Sequence, residues 1–273
     1  MSADLVPADL WERTAPLLPP RPTRRHRHPG RLPVSDRAAL AGIVYVLRKG
    51  VAYRDVPARL VGCSGVTNWR RLRDWTEAGV WRRLHEALLT ELRANGGLDM
   101  DDCAIDGSYV RALKGGDHVG PSPVDRARPG SKHHVIVDRF GTPLAVSLTG
   151  GNRHDVTQLI PLLDAIPGIR GLRGRPRSRP KRLFADRGYD FDKYRRLLWK
   201  RGIKLQIARR GTAHGSGLGK TRWVVERTFA WLRQFKRLRI SYERRTGLHH
   251  GLLELAASII CLRRLRRSFR NDQ

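Results

Sequence analysis

With 273 residues the chain can hold one large domain, or a small one and a medium one, and either arrangement buries a core large enough for an enzyme. Lys and Arg number 54 against 25 Asp and Glu, a formal charge of +29 spread along the whole length, so a polyanion is the expected partner. The longest apolar run, near "LAASIICL", falls far short of the roughly 20 residues a spanning helix needs, which argues against a membrane protein.

The N-terminal "MSADLVPADLWERTAPLLPP" carries acids and no basic stretch leading into an apolar core. No export signal is expected, and the chain is expected in the cytoplasm. Cys63, Cys103 and Cys261 lie far apart without CxxC spacing, as reduced structural thiols do. The pairs His133-His134 and His249-His250 have no Cys or His at ligand spacing, which argues against a zinc site.

Residues 1–98 read as helices. "PADLWERTAPLLP" stops at its prolines, and "SDRAALAGIVYVLRKG" opens at Ser35 and closes on Gly50. "AYRDVPARL", a "VGCSG" break and "VTNWRRLRDWTEAG" give two short helical segments joined tightly, followed by "VWRRLHEALLTELRANGG". This outlines a helix-turn-helix. Its second helix would present Thr67, Asn68, Arg70, Arg71 and Arg73 to phosphates and base edges, with Val66, Trp69, Leu72 and Trp75 packed inward. An ordinary helical bundle with a solvated basic face fits the same pattern.

From residue 99 the period changes. "CAIDGSYVRAL" alternates, placing Ala104, Asp106 and Ser108 on one face of a strand. Two β-rich runs in "HHVIVDRFGTPLAVSLTG" complete an antiparallel meander. Then come a helix over "DVTQLIPLLDAIP", the strand "RLFA" ending at Asp186, a helix over "FDKYRRLLWKRG", the strand "IKLQIA", a long helix over 220–236 and a last apolar helix along the sheet. The order is that of an α/β domain with a mixed sheet. Two basic arms, "PPRPTRRHRHPGRLP" and "RGLRGRPRSRPK", are read as loops that touch DNA phosphates, the second with a minor-groove core, Arg-Gly-Arg-Pro.

Asp106 sits in mid-strand, where a charge is costly, and Asp186 ends a strand at the sheet edge where ligand crevices form. A cap or a salt bridge would explain either residue alone. If their strands adjoin, the two carboxylates face one another, and Glu226, in "TRWVVERTFAWLRQFKRL", is the best third acid. On that helix Arg222, Glu226 and Arg233 align on one stripe.

"AIDGS", "FADRGYD" and "RWVVERTFAWLRQFKRLR" carry Asp106, Asp186 and Glu226 at separations of 80 and 40 residues. In this order they resemble the three signatures of insertion-sequence DDE transposases, in the branch known as the IS-five family. The N-terminal helices resemble that family's DNA-binding region, so the resemblance covers nearly the whole chain. It implies a helix-turn-helix-like domain over 1–98 and a ribonuclease H-like catalytic core over 99–273. Asp106, Asp186 and Glu226 would hold two Mg²⁺ ions, with Mn²⁺ able to substitute. Gly188 and Tyr189 match the second signature. In the third, Arg222 and Glu226 match, but Gly219 stands at the Tyr position and Arg233 at the Lys position. Arg222, Arg233 and Lys236 are expected on DNA.

Hard carboxylate oxygens suit Mg²⁺, and two divalent ions make an oxygen nucleophile more acidic while stabilising the leaving oxygen. No covalent protein nucleophile is needed, Ser108 and Tyr109 notwithstanding. The expected partners are the element's ends and target DNA, in a homodimer or larger assembly at the nucleoid. Two other readings remain: a non-catalytic repressor derived from a mobile element, and a nuclease that cuts without joining.

Overall fold

Apolar spacing and glycine stops shape the first third of the molecule. The protein is described here by a computed structural model covering residues 5–21, 27, 32–123, 125–209, 211 and 219–271. The arm before Pro33 and the loop before Gly219 lie largely outside the described residues. Helix α1 (Ala8–Thr14) ends in a short turn at the prolines, and α2 (Asp36–Lys49) ends at Gly50, whose φ of 73° lets its N–H return to Val46. Ser35 precedes α2 without capping it through its side chain.

The "AYRDVPARL" segment is less helical than its spacing suggests. Pro57 splits it into a turn at Tyr53–Asp55 and a one-turn helix, α3 (Ala58–Val61), closed by Gly62. The Ser64 hydroxyl then accepts the Thr67 N–H at 3.3 Å and starts α4 (Gly65–Glu77). Helix α5 (Val80–Ala94) completes this group.

The alternating segments form one seven-stranded sheet. Its strands are β1 (Asp102–Ala112), β2 (Gly120–Pro121), β3 (Pro129–Val137), β4 (Pro143–Gly150), β5 (Arg182–Phe184), β6 (Lys204–Gln206) and β7 (Ile240–Ser241). Helix α6 (Leu159–Asp164) precedes β5, α7 (Asp192–Lys200) joins β5 to β6, α8 (Gly219–Arg233) follows β6 and α9 (Thr246–Asn271) ends the chain. Strand β3 is antiparallel to β1 and β4, which is the expected meander, while β1, β5 and β6 are mutually parallel. An antiparallel meander extended by two parallel strands through helical crossovers is the mixed sheet that the pattern predicts and the ribonuclease H-like core that the family resemblance implies.

The core crosses the boundary between helices and sheet. Leu40, Leu47, Trp75 and Leu88 belong to the same continuous apolar cluster as Ile105, Ile136, Val225 and Leu252. Helix α9 is the shared wall: it packs on α4 and α5 as well as on β4 and α8. Deep in this wall His249 meets His133, Nε2 to Nε2 at 2.7 Å, and burial holds both rings neutral. Cys63, Cys103 and Cys261 are free and buried.

Candidate active site

Strands β1 and β5 bring the first two acids together. Ala104 pairs with Phe184, so Asp106, within β1, and Asp186, two residues past the end of β5 rather than at the end of the strand as expected, each lie two residues beyond that pair. Asp106 is largely buried and accepts its strongest local bond from the Gly107 N–H at 2.8 Å. Burial, followed by the nearby Asp186 charge, pushes its pKa up to about 6 against the pull of Gly107 and Arg222. Asp186 does cap: its Oδ1 accepts the Gly188 N–H at 2.8 Å and starts the turn Arg187–Tyr189. Tyr189 packs in the core, where its buried hydroxyl has no hydrogen-bond partner. Its acidity is weakened by burial and then by Asp106, Asp155 and Asp186.

Helix α8 lies over β1 with Val225, Phe229 and Leu232 buried, as its spacing required. That orientation points Arg222, Glu226 and Arg233 along the strand. Arg222 bridges two acids, with Nη1 3.9 Å from Asp106 and Nη2 3.3 Å from Glu226. Arg233 Nη2 donates to Ser108 Oγ at 3.0 Å. Lys236 is exposed in a short turn after α8 and packs beside Gly50.

These residues fit a divalent cation. Burial, and then the Asp186 charge, make Asp106 resist ionisation, and a guanidinium stands between Asp106 and Glu226 as a substitute positive charge. Among the described residues no three acidic, His or Cys side chains are already gathered as a metal cage.

A further carboxylate, Asp155, also approaches β1. The Asp155 carboxylate lies against Gly107, where an added Cβ would come within 2.7 Å of its Oδ1, and Lys132 binds the same oxygen at 3.0 Å. Glycine at 107 lets this acid approach β1.

The N-terminal DNA candidates need one correction. Asn68 is not presented to solvent: it is fully buried, its Oδ1 accepts from the Cys63 thiol at 2.6 Å, and its amide packs where α4 crosses α2 at Gly42. Val66, expected inside, is exposed instead. Arg70 is exposed, Arg71 lies 3.5 Å from Asp36, and Arg73 binds Asp74 at 2.7 Å while lying over the Trp69 ring. In the "RGLRGRPRSRPK" arm, Ile169 and Arg177 exchange two backbone bonds of 2.9 Å, which close the loop and leave Arg173 and Arg175 outside.

No helix among the described residues is long and apolar enough to cross a membrane. Residues 97–261 match the family model described as "Transposase DDE domain", and residues 6–85 match that of "Putative transposase of IS4/5 family". The chain is 61% identical over 150 residues to "Putative transposase for insertion sequence element IS402" of Burkholderia cepacia, spanning 55% of this chain and 71% of that one. It is 52% identical over 124 residues to "Insertion element IS402 uncharacterized 16.2 kDa protein" of the same organism, spanning 45% and 84%. Among solved structures, a pre-cleavage Mos1 transpososome is a remote likeness, with 13% identity, TM-score 0.27 and coverage of 89% and 81%. With a DDE-domain match over more than half its length and an IS4/5 match over its N-terminal helices, the chain belongs to the insertion-sequence DDE transposases of the IS4/5 type.

Proposed function

We propose that Asp106, Asp186 and Glu226 are the acids of a two-ion site, filled by Mg²⁺ or Mn²⁺, at which this transposase cleaves and joins DNA. The observation that carries the reading is that Asp106 on β1 and Asp186 just past the adjoining β5 each lie two residues beyond the Ala104–Phe184 pair, with Glu226 linked to Asp106 through Arg222. When bound, the ions would make an oxygen nucleophile more acidic and stabilise the leaving oxygen. Water attacks the phosphodiester at the element's end and frees a 3′-hydroxyl. That hydroxyl then attacks target DNA at the same site, each step forming one P–O bond and breaking another. Ser108 takes no covalent part; its hydroxyl accepts from Arg233.

Arg222 and Arg233 hold phosphate beside the acids, and Gly188 and Tyr189 fix the turn that aims Asp186. Lys236, in the turn after α8, contacts DNA beyond the acids. Residues 1–98 engage the element's ends, with Arg70, Arg71 and Arg73 toward DNA, and residues 99–273 carry the chemistry. Two ends must be held together, so the reacting species is a homodimer or a larger assembly, and it works in the cytoplasm at the nucleoid. The test is cleavage of labelled DNA carrying the sequence that flanks this gene. Metal-dependent 3′-end cleavage by the wild type, lost in chelator, is expected. Tight binding to those ends with no cleavage in either Mg²⁺ or Mn²⁺ would favour a repressor instead.

A further inference from the structure

Helix α8 carries a second stripe that the acidic site does not use. Trp223, Arg227 and Trp231 recur every fourth residue, about 100° around the helix from Arg222 and Glu226. The Arg227 guanidinium lies 4.3 Å from the centre of the Trp223 ring and 4.9 Å from that of Trp231. Its Nη2 donates to the Phe140 carbonyl at 2.6 Å, and its buried Nε has no hydrogen-bond partner. On α9, Arg264 lies 4.5 Å over Phe140 and Arg263 lies 5.3 Å over Phe235. Trp231, Gln234, Ile260, Arg263, Arg264 and Arg267 enclose a groove of about 110 Å³ between the two helices.

This groove differs from the basic surface beside Trp199 in having no ion-paired carboxylate; the nearest acid felt by Arg227 and Arg264, Asp138, is committed to a turn. Beside the exposed Trp199, Arg195 and Arg209 are neutralised by Asp190 and Asp192, and next to the groove Arg266 is bound to Asp9. Among the described residues, Arg227, Arg263, Arg264 and Arg267 have no carboxylate within ion-pair distance. Burial, and then neighbouring guanidinium groups, hold Arg227 and Arg263 below the usual arginine range. Such a cluster is costly unless an anion completes it. Stacking fixes the planes of Arg227, Arg263 and Arg264 and suits them to phosphate oxygens.

We propose that the groove between α8 and α9 is a second DNA-backbone site, at which Arg263, Arg264 and Arg267 bind phosphates of a duplex other than the one held at the acids. A transposase joins two DNA segments, and a basic stripe turned away from the acids can hold the second of them. No base edge is read there, so binding is independent of sequence.

The test uses the full chain with Arg263→Gln and Arg267→Gln together, in an Asp186→Asn background with chelator present, so that binding is measured without cleavage. Fluorescence anisotropy on a duplex of unrelated sequence, over a range of salt, should show affinity reduced roughly tenfold at moderate salt. The slope of log K against log salt should fall by about 2. With Asp186 intact, the double variant should still cleave a short end duplex. Unchanged affinity and slope in a variant of normal Tm would overturn the proposal. It would equally be overturned if inorganic phosphate stabilised the wild type but not the variant while DNA affinity stayed the same, since the groove would then be a small-anion site. Should the double variant fail to fold, Gln234→Glu keeps every stacked arginine and adds a carboxylate at the groove. It should weaken DNA binding severalfold, and unaltered binding there would contradict the proposal.

Discussion

Asp106 pays for its place in the strand: burial, and then Asp186, push its pKa from the ordinary 3.8 up to about 6, which corresponds to about 3 kcal/mol of charging penalty. Because the folded-state value is raised, this group favours folding fully below about 3.8 and loses that contribution as pH rises through about 6. Asp106→Asn should therefore stabilise the metal-free protein at pH 8 by on the order of 1–3 kcal/mol in urea titrations, and should abolish the rise in Tm that Mn²⁺ gives the wild type. A destabilised variant that still responds to Mn²⁺ would contradict this account. A proton and a cation also compete for the carboxylate, so Mn²⁺ affinity read by electron paramagnetic resonance should fall steeply as pH drops below about 6. A flat profile from pH 7 to 5 would rule out Asp106 as a ligand. Asp138 has a similarly raised pKa, but it accepts the Asp99, Phe140 and Thr142 N–H groups, so it serves a turn rather than a ligand.

At the scale of elements, legibility followed periodicity. The meander, the β5 strand and the buried face of α8 could be read because strand alternation and helical spacing put apolar residues in most inward slots, with Val135, Leu144, Leu183, Val225 and Leu232 among them. Helix α4 could not be read this way, because a polar residue occupies one of its inward slots. Its buried stripe runs through Gly65, Asn68, Leu72 and Trp75, whereas apolar Val66 and Trp69 suggested a stripe turned by one residue. The close approach of α2 at Gly42, a contact between distant parts of the chain, draws Asn68 inward. Gly42→Ala should accordingly cost about 1–3 kcal/mol, since its Cβ would overlap the Asn68 amide. Asn68→Ala should lower Tm without changing the DNA affinity of the folded protein, and Arg70→Ala should do the reverse. Equal losses of DNA affinity in the two variants, at matched folded fractions, would mean that Asn68 is a DNA contact after all. The approach of Asp155 to Gly107 was hidden for the same reason as the approach at Gly42: the two residues are far apart in sequence.

Across the whole molecule, the change from helical to alternating pattern near residue 98 marks a change of secondary structure within one core. Helix α9 closes that core from both sides, so the final 26-residue helix is needed by the first five. A chain ending before Thr246 should lose the cooperative fold of residues 8–94 as well as the sheet, and the intact chain should unfold in one transition by circular dichroism and tryptophan fluorescence. Two separated transitions would show independent units. The formal charge of +29 acts at this scale too: it favours DNA over many surfaces, and the proposed acids Asp106, Asp186 and Glu226 stand among these bases. The most direct measurement is therefore strand transfer with labelled element ends, target DNA and Mn²⁺, comparing the wild type with Asp106→Asn, Asp186→Asn and Glu226→Gln. Joined products from the wild type, and their loss in each variant while end binding persists, is the predicted result. Joined products from any of the three variants at wild-type yield would contradict the assignment of that acid to the site.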